Sequence, residues 1–251
     1  MHSQSFLDLP LPKAGTVPHK RVGMMIIGWL CVLFGACLAT GVAHAHGVAE
    51  GDASFLQNQT GFHFWPYFYL GAKHMVTGYD HLLYLAGVVF FLYRPKDVAT
   101  YVTLFAIGHS LTLIAGVYFD IPANMYLIDA IIGFSVVYKA FENIGGFKRI
   151  GFEPNSKVAV AIFGLFHGLG LATKLQELTL SEEGLLGNLI AFNVGVEVGQ
   201  LIALFFILTA VNFWRLTARF GHQTVLANGL IMTCGFALIV YQLTGYFLLE
   251  V

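Results

Sequence analysis

From about residue 68 onward, long apolar runs alternate with short polar breaks. Six runs reach the roughly 20 residues that a helix needs to cross a bilayer, at about 68–93, 98–118, 124–145, 157–175, 184–212 and 224–249. None alternates with period two, so the pattern predicts helices rather than the strands of a barrel. The clearest breaks are Arg94-Pro95-Lys96-Asp97, Asp120-Ile121-Pro122 and the stretch 145–157. No soluble domain or internal repeat interrupts the series. The expected fold is all-α, a polytopic membrane bundle of six transmembrane helices over 68–251.

The first 67 residues follow a different pattern. Residues 1–21 are polar and end in Lys20-Arg21, an apolar run covers 22–42, and Ala43-His44-Ala45 follows. A basic segment, an apolar segment and an A-x-A site read together as a signal peptide over 1–45, with an uncleaved anchor as the alternative. Cleavage after Ala45 makes His46 the mature N-terminus, and 46–67 is then a short periplasmic segment. With that end outside, the inner loops carry Arg94, Lys96, Lys148, Arg149, Lys157, Arg215 and Arg219. The outer side carries only Lys174, beside Glu177, Glu182 and Glu183. Cytoplasmic loops hold the excess of Lys and Arg, so both mature termini are expected in the periplasm, in a bacterial inner membrane.

Composition narrows the function. Hydrophobic residues make up 57% and charged residues 11%, against about 25% charged in an ordinary soluble domain. That balance excludes a soluble enzyme and a disordered chain. A net charge of −1 offers no field for a nucleic acid, so the expected surroundings are the lipid bilayer. Cys31, Cys37 and Cys234 never stand at C-x-x-C spacing, so a metal site has to use His, Asp, Glu or Asn.

The few polar groups inside the runs carry the rest. An Asp, Lys or Arg at a helix centre costs roughly 2.5–3.5 kcal/mol to insert, so such groups face a partner or a wet cavity. The first run has Lys73, His74, Asp80 and His81, and the second has His109. The third has Asp129, Lys139, Glu142 and Asn143, the fourth His167, and the fifth Asn193, Glu197 and Gln200. The sixth has no ionisable group and reads as a packing helix. His74 and His81 are seven apart, two turns along one helix face, and Asn193, Glu197 and Gln200 share a stripe flanked by Gly195 and Gly199. Imidazole and carboxylate together suit a divalent transition metal, with nickel, cobalt, zinc, copper and iron all compatible. The expected site is Asp80, His81, His109, His167 and Glu197 near mid-membrane, with His74 toward the outside. His46, Glu142, Asn143, Asn193 and Gln200 would line the path or support the ligands. Each group also has a plainer reading. Lys139 and Glu142 make a simple ion pair, Asp129 caps or snorkels at the outer boundary, and Gly164, Gly168 and Gly170 serve packing.

The motifs resemble a known family. The stretch from His74 to His81 (HMVTGYDH) fits HxxxxxDH, a pattern similar to the first-helix signature of the HupE/UreJ membrane permeases. Phe166-His167-Gly168 resembles that family's second motif. Gly108-His109-Ser110-Leu111-Thr112, the stretch 138–143 and the stretch 192–197 resemble its second branch. The resemblance implies a six-span permease with a cleaved signal peptide that moves nickel or cobalt, with His74, Asp80, His81 and His167 handling the metal. Members that handle nickel continue past the second motif toward further acidic or imidazole groups. Here the continuation is Leu169-Gly170-Leu171-Ala172-Thr173-Lys174, and Glu197 is the carboxylate expected to stand in. No Walker A motif is present, so transport would be secondary, channel-like or powered by a partner. No catalytic or cofactor-binding residue is assigned. Two other functions fit the same residues: an intramembrane metal-dependent hydrolase, and an accessory subunit of a membrane metalloenzyme complex. Self-association and metalloenzyme-maturation partners stay open.

Overall fold

The computed structural model describes residues 60–177 and 181–249. The expected signal peptide, its cleavage site and His46 lie outside the described residues. Those described form helices without strands: α1 (Phe64–Thr77), α2 (Tyr79–Val89), α3 (Pro95–Tyr118), α4 (Met125–Asn143), α5 (Gly146–Arg149), α6 (Ser156–Gln176), α7 (Leu185–Arg215) and α8 (Phe220–Leu249). The starts follow local chemistry. Pro95 opens α3, where its missing N–H removes nothing from the helix. Asn124 caps α4 by accepting from the Leu127 N–H, and Asn155 caps α6 by accepting from Lys157 and Val158.

Among the described residues, four helices are long and apolar enough to cross a membrane: α3, α6, α7 and α8. The run at 124–145 forms α4, whose 19 residues include Asp129, Lys139 and Glu142. The first run departs from expectation. It starts at Phe64 and is two helices, interrupted at Gly78, whose extended backbone (φ −72°, ψ 97°) ends α1 and opens α2.

Three helix pairs approach to backbone contact, each through glycine, which is how helices associate where lipid supplies no hydrophobic drive. A Cβ on Gly71 would strike the Phe192 carbonyl, and one on Gly195 the Phe68 carbonyl, so α1 lies directly on α7. Between α3 and α6, Gly164 faces the Phe105 carbonyl and Gly168 the His109 carbonyl. Between α4 and α8, Gly133 meets Ile239 and Gly235 meets Val137. The packing role expected of Gly164, Gly168 and Gly170 thus matches the fold, and α6 runs unbroken past all three. The inner faces bury Met75, Tyr84, Leu113, Val136 and Leu171, while Leu201, Phe205, Phe206, Val240 and Phe247 stay on the outer surface, as lipid contact requires. Gly168→Ala should therefore force α3 off α6 and lower stability by about 1–3 kcal/mol. A thermal melt in detergent reads this, and an unchanged midpoint would contradict the close approach.

The sixth run is an apolar packing helix that carries a polar stripe. Asn228, Gly235 and Gln242 stand seven apart, one stripe of α8 that faces α4, and both amides are buried.

Candidate metal centre

The break at Gly78 builds the centre. In an unbroken helix, residues seven apart are separated by about 10 Å of rise. Here the His74 ring, in the last turn of α1, lies 5.2 Å from the His81 ring, in the first turn of α2. A side chain at Gly78 would crowd the centre, since a Cβ would sit 3.0 Å from the His74 carbonyl oxygen, 3.1 Å from His81 Nδ1 and 3.3 Å from Asp80 Oδ1. His109 of α3 and His167 of α6 enter from the other side, with ring centroids 5.8 Å and 4.8 Å from that of His81. All four imidazoles and Asp80 thus share one interior pocket.

Asp80, His81 and His167 have potential ligand atoms within 4.8 Å of one another, and all three are buried. Three ligands at about 2.0–2.2 Å from one ion lie about 3.3–3.8 Å apart, so each atom of the trio needs a shift of up to about 0.8 Å to close on a cation. The Asp80 carboxylate accepts from His81 Nδ1 at 3.2 Å, which leaves Nε2 as the ring nitrogen for a ligand. Both ring nitrogens of His109, His167 Nδ1 and His74 Nε2 are buried without a hydrogen-bond partner. Each such atom costs about 1–3 kcal/mol. Several gathered round one carboxylate form a donor set whose chemistry suits a cation.

Supporting side chains hold the rings. Ser135 of α4 donates its hydroxyl proton to the Ile132 carbonyl at 2.6 Å and lies 3.1 Å from His167 Nε2. Tyr84, one turn beyond His81, packs its ring 5.2 Å from His167 and 5.5 Å from Phe105. Neither residue stands out in the sequence. Tyr84 is at i+3 from His81, a spacing that shares a helix face, whereas nothing marks Ser135 among the other small residues of α4.

Polar networks stand on both sides of the pocket. The sequence reads Asp129 as a boundary cap, and the fold corrects this. Asp129 is buried, paired with Lys174 of α6 at 2.8 Å and accepting from Gln242 of α8 at 3.2 Å. Lys174, counted from sequence as an outer charge, turns inward because it lies two turns beyond His167 on the face of α6 that meets α4. Toward the other end, Lys139 and Glu142 form the expected pair at 2.6 Å, bridged by Ser156. Asn143 donates to the Gly87 carbonyl and to Asn228, joining α4 to α2 and α8.

Glu197 is the clearest misplacement. It is exposed, in a groove between α3 and α7 lined also by Ser110, Leu111 and Asn193, and it does not join the histidines. The reason is angular. Gly195 and Gly199 face α1, and each residue turns the helix by about 100°, so Glu197 between them points to the opposite face. Its stripe neighbours are buried; Asn193 donates to Ser110 at 2.6 Å, and Gln200 packs inside.

Comparison with known proteins adds one finding. The family model described as HupE / UreJ protein matches residues 50–250. No curated protein and no solved structure shows significant similarity to the chain.

Proposed function

The chain belongs to the HupE/UreJ family, and on that premise we propose that it is an inner-membrane permease whose substrate is a divalent transition-metal ion, nickel or cobalt. The family is in general one of membrane proteins related to nickel and cobalt transport. The observation that carries the reading is the buried trio Asp80, His81 and His167, with His74 and His109 beside it. One carboxylate and several imidazoles supply charge and borderline-soft nitrogen, which nickel and cobalt accept. In this reading the ion passes His74 from the periplasm and is held by Asp80, His81 and His167, with His109 within reach. It leaves toward the cytoplasm when the Lys139, Glu142 and Ser156 network opens. The Asp129–Lys174 pair stands on the outer side, so the two networks close the pocket at both ends.

Six crossings are part of the proposal, with α1 and α2 together as the first and α4 as the third. The contacts support this count. Gly195 meets Phe68 and Ala72 while Gly199 meets Ala72 and Met75, so α1 and α7 run parallel, as first and fifth crossings must. Gly164 meets Phe105 and Gly168 meets His109, so α3 and α6 run parallel, as second and fourth. Gly245 meets Tyr126 and Gly235 meets Val137, so α4 and α8 are antiparallel, as third and sixth. With the Lys and Arg excess inside, the C-terminus is periplasmic. A reporter active only in the cytoplasm, fused after Val251, should stay silent, and strong signal there would overturn the topology.

Transport itself is tested with purified protein in sealed vesicles. Nickel or cobalt should accumulate, with exchangeable binding in detergent at about one ion per chain. Absence of flux together with a tightly held zinc ion and amide or ester hydrolysis would replace the permease with the hydrolase.

A further inference from the structure

A serine hydroxyl has one proton, and in Ser135 that proton has an assigned place. Its Oγ lies 2.6 Å from the Ile132 carbonyl oxygen, at the short end for an O–H···O bond. Two oxygens at that distance with no proton between them would repel, so Ser135 donates to Ile132. Toward His167 Nε2, at 3.1 Å, the same Oγ has only lone pairs left to offer. The nitrogen must therefore be the donor. Ser135 and His167 are both fully buried, so no water competes for either group.

We infer that Ser135 fixes His167 as its Nε2–H tautomer and thereby makes Nδ1 the nitrogen that meets the metal. His167 Nδ1 is buried without a hydrogen-bond partner, on the side of the ring away from Ser135. In the other tautomer, Nδ1 would carry a hydrogen and could not bind an ion, while Nε2 and Ser135 Oγ would face each other as two acceptors. Ser135 is thus a positioning residue that acts through His167, as the outer partners of metal-bound histidines do elsewhere. The metal role of His167 rests on the permease reading, whereas the tautomer does not.

The test separates the two. Nitrogen-15 spectra of the metal-free full chain, with the His167 signals identified by their loss in His167→Gln, should show a protonated Nε2 and an unprotonated Nδ1. Ser135→Ala should mix the tautomers and weaken nickel binding by about 10- to 100-fold. Ser135→Thr, which keeps the hydroxyl, should restore both. A protonated Nδ1 in the unsubstituted chain would overturn the inference, and so would an unaltered tautomer in Ser135→Ala. The unsubstituted spectrum gives this answer even if the alanine variant does not fold. The expected tautomer in a chain that binds no nickel would leave the tautomer assignment standing and overturn the permease reading together with the metal role of Nδ1.

Discussion

His81→Ala is expected to abolish nickel or cobalt uptake while the protein still inserts and folds. The His81 ring is the hub of the pocket, with centroids at 4.8 Å to His167, 5.2 Å to His74 and 5.8 Å to His109. Its removal takes away one ligand and also the donor that orients Asp80. Loss of a supporting partner alone weakens metal sites by about 10- to 100-fold, so loss of a ligand should exceed that. His167→Ala should match it, and the pair combined should cost little more than either alone, because each already breaks the same site. Glu197→Gln is the contrast. Its carboxylate sits in the outer groove between α3 and α7, so metal binding should persist. Titration of nickel into purified variants checks all four. Full binding by His81→Ala, or loss of binding in Glu197→Gln, would defeat this account of the centre.

The second large effect is on stability. Asp129→Asn leaves the Lys174 ammonium buried with its carboxylate partner gone. Breaking a buried pair by removing one partner costs about 3–5 kcal/mol, because the other charge stays desolvated. Lys174→Met should cost a similar amount, with Gln242 alone left to donate to the carboxylate among the contacts at Oδ2. Removing both, as Asp129→Asn with Lys174→Met, should recover much of the loss, since neither charge is then stranded. Thermal unfolding in a mild detergent gives the comparison. An Asp129→Asn protein that melts with the unsubstituted one would return Asp129 to the role of a boundary cap.

Much of the architecture was legible in the order of residues, for a simple reason. A bilayer demands about 20 apolar residues per crossing and penalises every charge, so α3, α4, α6, α7 and α8 fall where the hydropathy pattern puts them. The same penalty made His74, Asp80, His81, His109 and His167 stand out, because histidine and aspartate inside an apolar run need a reason to be there. The spacing of Lys139 and Glu142 disclosed their pair, since contact at i+3 is local.

What sequence could not supply was azimuth between helices. Glu197 and Asp129 differ from the sequence expectation for that one reason: position along a helix follows from residue count, but the side a residue faces depends on which helix packs there. Glycines 195 and 199 press α7 against α1 and so turn Glu197 outward, while the packing of α4 on α6 and α8 gives Asp129 two partners that lie 45 and 113 residues away. The break at Gly78 is likewise a tertiary result, as glycine permits the extended backbone there without requiring it. Sequence alone determined that this is an all-helical membrane chain with imidazoles and carboxylates inside its apolar runs, because solvation in lipid acts residue by residue. Only the tertiary structure decided which of those groups meet, because contact between helices depends on rotation about their axes, which no single run encodes.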